Sequence, residues 1–186
     1  MHGRASKRAA AVLGDVVKGF AAHGYRQTAR SGPLEARLEA DGRPALRLSM
    51  RSVGGRVFGG TFALEVATAD ALFPRTRGVT ARGRGVVRLR TIEFRGRSRD
   101  KEGDALARRL GEDERLVRAI ADVHFERIRI DPDGRPALRH MGGSLVWFLF
   151  PPMTRPVPLV PAQVHATVRA MEAFAAAANR GRRSAG

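Results

Sequence analysis

A chain of 186 residues with 31 arginines, three lysines and 18 acidic residues carries a net charge of +16 and has no cysteine. That excludes disulfide scaffolds, cysteine-ligated zinc, iron–sulfur clusters and thiol nucleophiles, while the length suffices for one self-supporting core. The arginine bias beside abundant alanine and glycine is what a GC-rich coding sequence gives any protein, so charge placement has to decide what the excess means.

Residues 6–23 set Val12, Leu13, Val16, Val17 and Phe20 on one helical face, with Gly24 as the stop. Arg4, Lys7 and Arg8 before this run imitate the start of a signal peptide. Asp15 and Lys18 interrupt it, and the expectation is a helix of a cytoplasmic protein. LEARLEA (34–40) and ALRLSMR (45–51) alternate strictly, and Asp41-Gly42 turns one into the other. TFALEVA (61–67) is a third alternating run, with Phe62, Leu64 and Val66 on one face.

The basic part of the chain follows. Between 75 and 101 lie Arg75, Arg77, Arg82, Arg84, Arg88, Arg90, Arg95, Arg97, Arg99 and Lys101 against only Glu93 and Asp100, so eight of the sixteen net charges sit there. A turn-like PRTRG leads into an expected strand at 86–95, in which Val87 and Leu89 have one parity and Ile92 and Phe94 the other. That phase slip near Thr91 reads as a bulge. The RGR tripeptides at 82–84 and 95–97 combine a close-approaching backbone with guanidinium forks, the chemistry that grips phosphate. The nine arginines are therefore the candidate polyanion-binding residues, against the alternative of a solvated strand edge.

From Asp104 the period becomes helical. Leu106 and Leu110, then Leu116, Val117 and Ile120, predict two short helices broken at Gly111. Strands are expected at 125–130, 136–141 and 144–150, with DPDG as the turn after the first. Pro151 to Pro161 reads as an extended connector, followed by a helix from Pro161 to Ala178 with Val164, Val168, Met171, Phe174 and Ala178 buried. In LVWFLF (145–150), Leu145, Trp147 and Leu149 face the helices and Val146, Phe148 and Phe150 the other side, so both faces of that strand require cover.

DGRPALR occurs at 41–47 and again at 133–139. Duplication of a helix and three strands would explain it, as would shared turn chemistry in this composition. GGRVFGG (54–60) lacks the lysine and hydroxyl of a phosphate loop, DPDG lacks the further ligands of a calcium loop, and the histidines show no metal spacing. His124, Glu126 and His140 could form a small polar cluster. No nucleophile motif accompanies the serines, so no catalytic residue, metal or cofactor is assigned.

GGSLVWFLFPPMTRPVPLVPAQ (142–163), at Gly142, Ser144, Val146, Pro151, Arg155, Val157, Leu159 and Gln163, resembles the C-terminal signature of an uncharacterised bacterial domain-of-unknown-function family. LFPRTRG (72–78) and the helices leading into HFERIRI are similar to its middle region, so the resemblance covers most of the chain. It departs at Leu145, Trp147, Phe148 and Leu149, where the family is polar, and it implies no activity.

The expectation is a single α+β domain over 1–180 with a disordered basic tail at 181–186. Its sheet is mainly antiparallel, of six to eight strands, with an N-terminal helix, a central pair of short helices and a C-terminal helix. Function is unknown, and a non-enzymatic binding or interaction module leads. The alternatives are nucleic-acid or other polyanion binding through 75–101, and a small-molecule or lipid carrier with its cavity between LVWFLF and a helix. Self-association through 145–150 is a further expectation, and no transmembrane segment is present.

Overall fold

The computed structural model describes residues 2–54, 59–84, 91–97, 99–148 and 152–183. In chain order the elements are α1 (His2–Ala21), β1 (Arg26–Gly32), β2 (Glu35–Glu39), β3 (Leu46–Val53), β4 (Gly59–Thr68), β5 (Val79–Arg84), β6 (Thr91–Gly96), α2 (Lys101–Glu112), α3 (Glu114–Ala121), β7 (Phe125–Ile130), β8 (Pro136–His140), β9 (Ser144–Phe148), β10 (Met153–Val157) and α4 (Pro161–Arg183). The fold is α+β, as its periodicities predict.

All described strand pairs are antiparallel, in the order β1-β2-β3-β4-β8-β7-β5-β6. The ten-residue β4 organises the sheet. β3 pairs along one side of it, while β8 pairs with its C-terminal half and β9 with its N-terminal half. β8 and β9 thus form one interrupted strand, and the sheet forks at the break into a β7-β5-β6 branch and a β10 branch. Gly143 makes the break possible: its φ is +68°, and a Cβ there would lie 2.7 Å from Leu64 Cδ2.

Alternation assigns the faces. Leu46, Leu48 and Met50 of β3, Phe62, Leu64 and Val66 of β4, Ile128 and Ile130 of β7, Leu138 of β8, and Leu145 and Trp147 of β9 enter one cluster with the apolar stripes of all four helices. The α4 stripe is buried at all five expected positions. Phe174 meets Phe73 edge-on, with centroids 6.4 Å apart.

Several boundaries differ from expectation for identifiable reasons. β1 (RQTARSG) has no apolar alternation and is exposed along nearly its whole length; it exists because β2 offers an unpaired edge. The described part of the strand expected at 86–95 is β6, the second strand of a hairpin with β5. β6 starts at Thr91, while residues 85–90, and with them the expected phase slip, lie outside the described residues. The central helices part at Asp113 rather than Gly111, because the Asp113 carboxylate accepts the Leu116 N–H and caps α3. The expected proline connector contains β10, an edge strand on β9 where Pro156 is tolerated. α4 continues past Ala178 to Arg183, with Arg180 ion-paired to Asp113.

The DGRPALR copies occupy equivalent places. Each turns into a strand flanking β4, β3 on one side and β8 on the other, with Gly42 (φ +71°) and Gly134 (φ +83°) both left-handed. Gly134 is also sterically fixed, since a Cβ would fall 2.0 Å from the Phe73 carbonyl oxygen, the acceptor neighbour of the LFPRTRG loop. The Leu72 and Phe73 N–H groups both donate to the Gly134 carbonyl.

Candidate anion-binding face

The strand positions that alternate with the core residues form the sheet's second face. Strand pairing aligns Arg37, Arg47, Ala67, Ala137, Arg129, Thr80 and Arg95 in one row running from β2 to β6. A neighbouring row runs Glu35, Ser49, Glu65, Arg139, Arg127. Arginines from five strands are thereby gathered on one surface by hydrogen-bond register, although in sequence they are scattered over a hundred positions.

Glu65 sits at the middle, 3% exposed. Arg129 donates to it at 3.0 Å, Arg51 lies at 3.5 Å and Arg139 at 3.9 Å, so one buried carboxylate is shared by three guanidinium groups from strands on both sides. The three guanidinium groups outnumber the one carboxylate and leave an excess of positive charge around it. Arg139 also approaches Glu126 at 3.8 Å, while its buried Nε–H has no acceptor among the described residues. Ala63, Ala67 and Ala137, which alternate with the core residues and share this face, are themselves buried.

At one end of this face is a cavity of about 320 Å³ lined by Arg77, Thr80, Arg97, Arg127, Arg129 and Asp131, among others. Two loops are tied together to make it. The Arg77 N–H donates to the Asp100 carboxylate at 2.6 Å and the Arg97 N–H to the Gly78 carbonyl at 3.0 Å. Asp100 also caps α2 through the Gly103 N–H, and these backbone donors, Gly103 foremost, hold its carboxyl below the usual carboxylate range. Arg97 and Arg127 make no ion pair among the described residues, so their charge is available.

The nine arginines expected to bind a polyanion are therefore divided. Arg77 and Arg97 line the cavity, and Arg95 is on the same face but engaged with Glu93 at 2.8 Å. Arg75 turns to Asp133, at 3.9 Å, and Arg99 is exposed in the loop before α2 with φ +63°. Arg82 and Arg84 are backbone members of β5, opposite Glu93 and Thr91, whereas Arg88 and Arg90 lie outside the described residues. The sequence reading missed Arg37, Arg47, Arg51, Arg127, Arg129 and Arg139. The signal was present in ARLEA, ALRLSMR, ERIRI and ALRH, where each arginine occupies the parity opposite to the apolar residues.

The histidine cluster does not assemble. His140 is on the core face, 1% exposed, whereas Glu126 is on the arginine face with Arg139. The His140 Nε2 lies 3.2 Å from Thr167 Oγ1, whose hydroxyl donates to the Gln163 carbonyl. With that proton committed, the imidazole donates from Nε2. Burial above all, with a contribution from His124, pushes its pKa down to about 4. Gln163 itself accepts the His124 N–H at 2.6 Å and donates to the Asp122 carbonyl, clamping the start of α4 to the turn before β7. No group of three potential metal ligands occurs among the described residues.

In LVWFLF, Leu145 and Trp147 are buried as expected, Val146 is half-buried and Phe148 is 45% exposed; Leu149 and Phe150 lie outside the described residues. No described helix is long and apolar enough to cross a membrane.

These features define an α+β protein whose antiparallel sheet carries helices on one face and arginines on the other. The chain belongs to the family described as Protein of unknown function (DUF3156), which matches residues 20–178. The match agrees with the resemblance drawn from residues 142–163 and 72–78. No curated protein and no solved structure matches the chain.

Proposed function

We propose that this protein is a non-enzymatic module that binds nucleic acid through phosphate contacts on the outer face of its sheet. The observation carrying this reading is the convergence of Arg47, Arg127, Arg129 and Arg139 on one face, continuous with the cavity of Arg77 and Arg97. Guanidinium forks match phosphate oxygens, and each phosphate neutralised releases counterions, so such a face acquires affinity without reading sequence. Aromatic side chains are sparse on it, which disfavours base stacking and favours backbone recognition.

The proposal moves the interface from the contiguous segment 75–101 to a surface shared by β3, β7 and β8. Titration of a labelled duplex should give a log Kd that rises with log salt with a slope of about 4, for about four neutralised phosphates. The triple replacement Arg97→Ser, Arg127→Ser and Arg77→Ser removes charges not needed to satisfy Glu65. It should weaken binding at least tenfold at low salt and reduce the slope by about 3. Binding that is absent at low salt, or that this variant leaves unchanged, ends the reading.

A further inference from the structure

On the opposite side of the fork, α1 and the β9–β10 hairpin enclose a separate cavity of about 370 Å³. Ala5, Trp147, Phe148, Pro152 and Met153 provide an apolar wall, while Arg4, Arg8 and Thr154 supply its polar groups. Phe148 and Met153 are 45% and 47% exposed, an unusual state for large apolar side chains standing together beside a hollow. Arg8 hydrogen-bonds Thr154 across it, tying the helix to the edge strand. The first turn of α1 carries no acidic residue to offset the charge of Arg4. The volume falls within the range of ligand-binding pockets.

We infer that this cavity binds an anionic amphiphile, an acyl chain against Trp147, Phe148 and Met153 with its carboxylate held by Arg4 and Arg8. The charge of the two arginines selects the headgroup, and the apolar wall selects the tail. A neutral chain of equal length would leave both guanidinium groups without a new partner, and a cationic one would be repelled. Arg4, Ala5 and Arg8 precede residue 20, where the family match begins, so three of the eight lining residues, both arginines among them, come from sequence outside it. The site shares no residue with the arginine face and stands whether or not nucleic acid binds there.

Trp147 is the chain's one tryptophan, which gives a direct readout. Full-length protein is titrated with 12-bromododecanoate, whose bromine quenches indole fluorescence on contact, and dodecanoate, dodecanol and dodecyltrimethylammonium are tested as competitors. Saturable quenching is expected, relieved by dodecanoate at concentrations at least tenfold lower than dodecanol requires. Affinity should rise about fourfold per added methylene until the cavity is full. Replacement of Arg4 and Arg8 by serine should erase the preference for carboxylate while leaving neutral-chain binding intact, and Phe148→Asp, at an exposed position, should weaken every chain. Equal competition by dodecanol and dodecanoate would overturn the inference. So would an absence of saturable quenching together with a sedimentation dimer that Phe148→Asp dissociates, because the apolar surface would then be a contact between two copies.

Discussion

β4 has two faces made from alternate residues, and they are held by different forces. On one, Phe62, Leu64 and Val66 are packed in the apolar cluster with the helix stripes; on the other, Glu65, between the small Ala63 and Ala67, is ion-paired to Arg51, Arg129 and Arg139. The first face gains free energy from apolar area removed from water, which requires no particular partner geometry. The second has to keep a buried carboxylate supplied with cations, so its value depends on geometry and salt. Burial alone therefore does not identify the core of this protein, because Leu64 and Glu65 are adjacent in sequence and buried alike.

The largest separation of the two faces should come from Leu64→Ala. It removes a fully buried side chain at the centre of the cluster and should cost about 3 kcal/mol, roughly 6–12 °C in melting temperature, independently of salt. Comparable in size is the acid response of His140. Its folded pKa of about 4 lies below the unfolded value near 6.5, so the unfolded chain binds the proton first. Stability is full above pH 6.5, falls as pH drops toward 4 and then levels off, a total loss on the order of 3 kcal/mol. His140→Phe should remove that component from denaturation curves measured at pH 7 and pH 4.5.

Glu65→Gln tests the second face directly. It should cost about 2 kcal/mol by leaving three guanidinium groups without their shared anion, and urea denaturation would measure it. The same variant should bind duplex more tightly, because the face gains one net positive charge. Greater loss than in Leu64→Ala would mean that the ionic face, not the packed one, dominates stability. Asp113→Ala should cost about 1 kcal/mol, through loss of the α3 cap and the Arg180 pair. Burial raises the Asp113 carboxyl, but the Arg180 hydrogen bond and the Leu116 N–H outweigh it and hold it low. Its contribution is thus present above the unfolded carboxylate pKa and lost as pH falls through the lowered one. The smallest effect is spectroscopic. The single tyrosine, Tyr25, should ionise near pH 12 rather than 10, because burial and then Glu172 disfavour the phenolate more than Arg43 favours it. Absorbance titration of the folded protein would follow it.

Periodicity located α1, α4, β3, β4 and β7 because each has an apolar stripe of the right period, and such a stripe forms the same element wherever it packs. β1 and β10 escaped for the converse reason: RQTARSG and MTRPV have no stripe, and they are strands only because a neighbouring edge supplies hydrogen bonds. β5 was hidden by VTARGR, whose buried residues Val79 and Ala81 make too short an apolar stripe to mark a face.

The same division holds for the candidate site. Sequence by itself determined that arginine dominates the surface charge, that half of the net charge falls between 75 and 101, and which residues of each strong strand point inward. Only the tertiary structure decided which arginines stand together. Clusters along a chain are drawn apart when a hairpin and two loops send Arg75, Arg77 and Arg95 to different partners. Residues far apart are gathered when β3, β8 and β7 lie side by side in register, because cross-strand neighbours are about 5 Å apart whatever their separation in sequence.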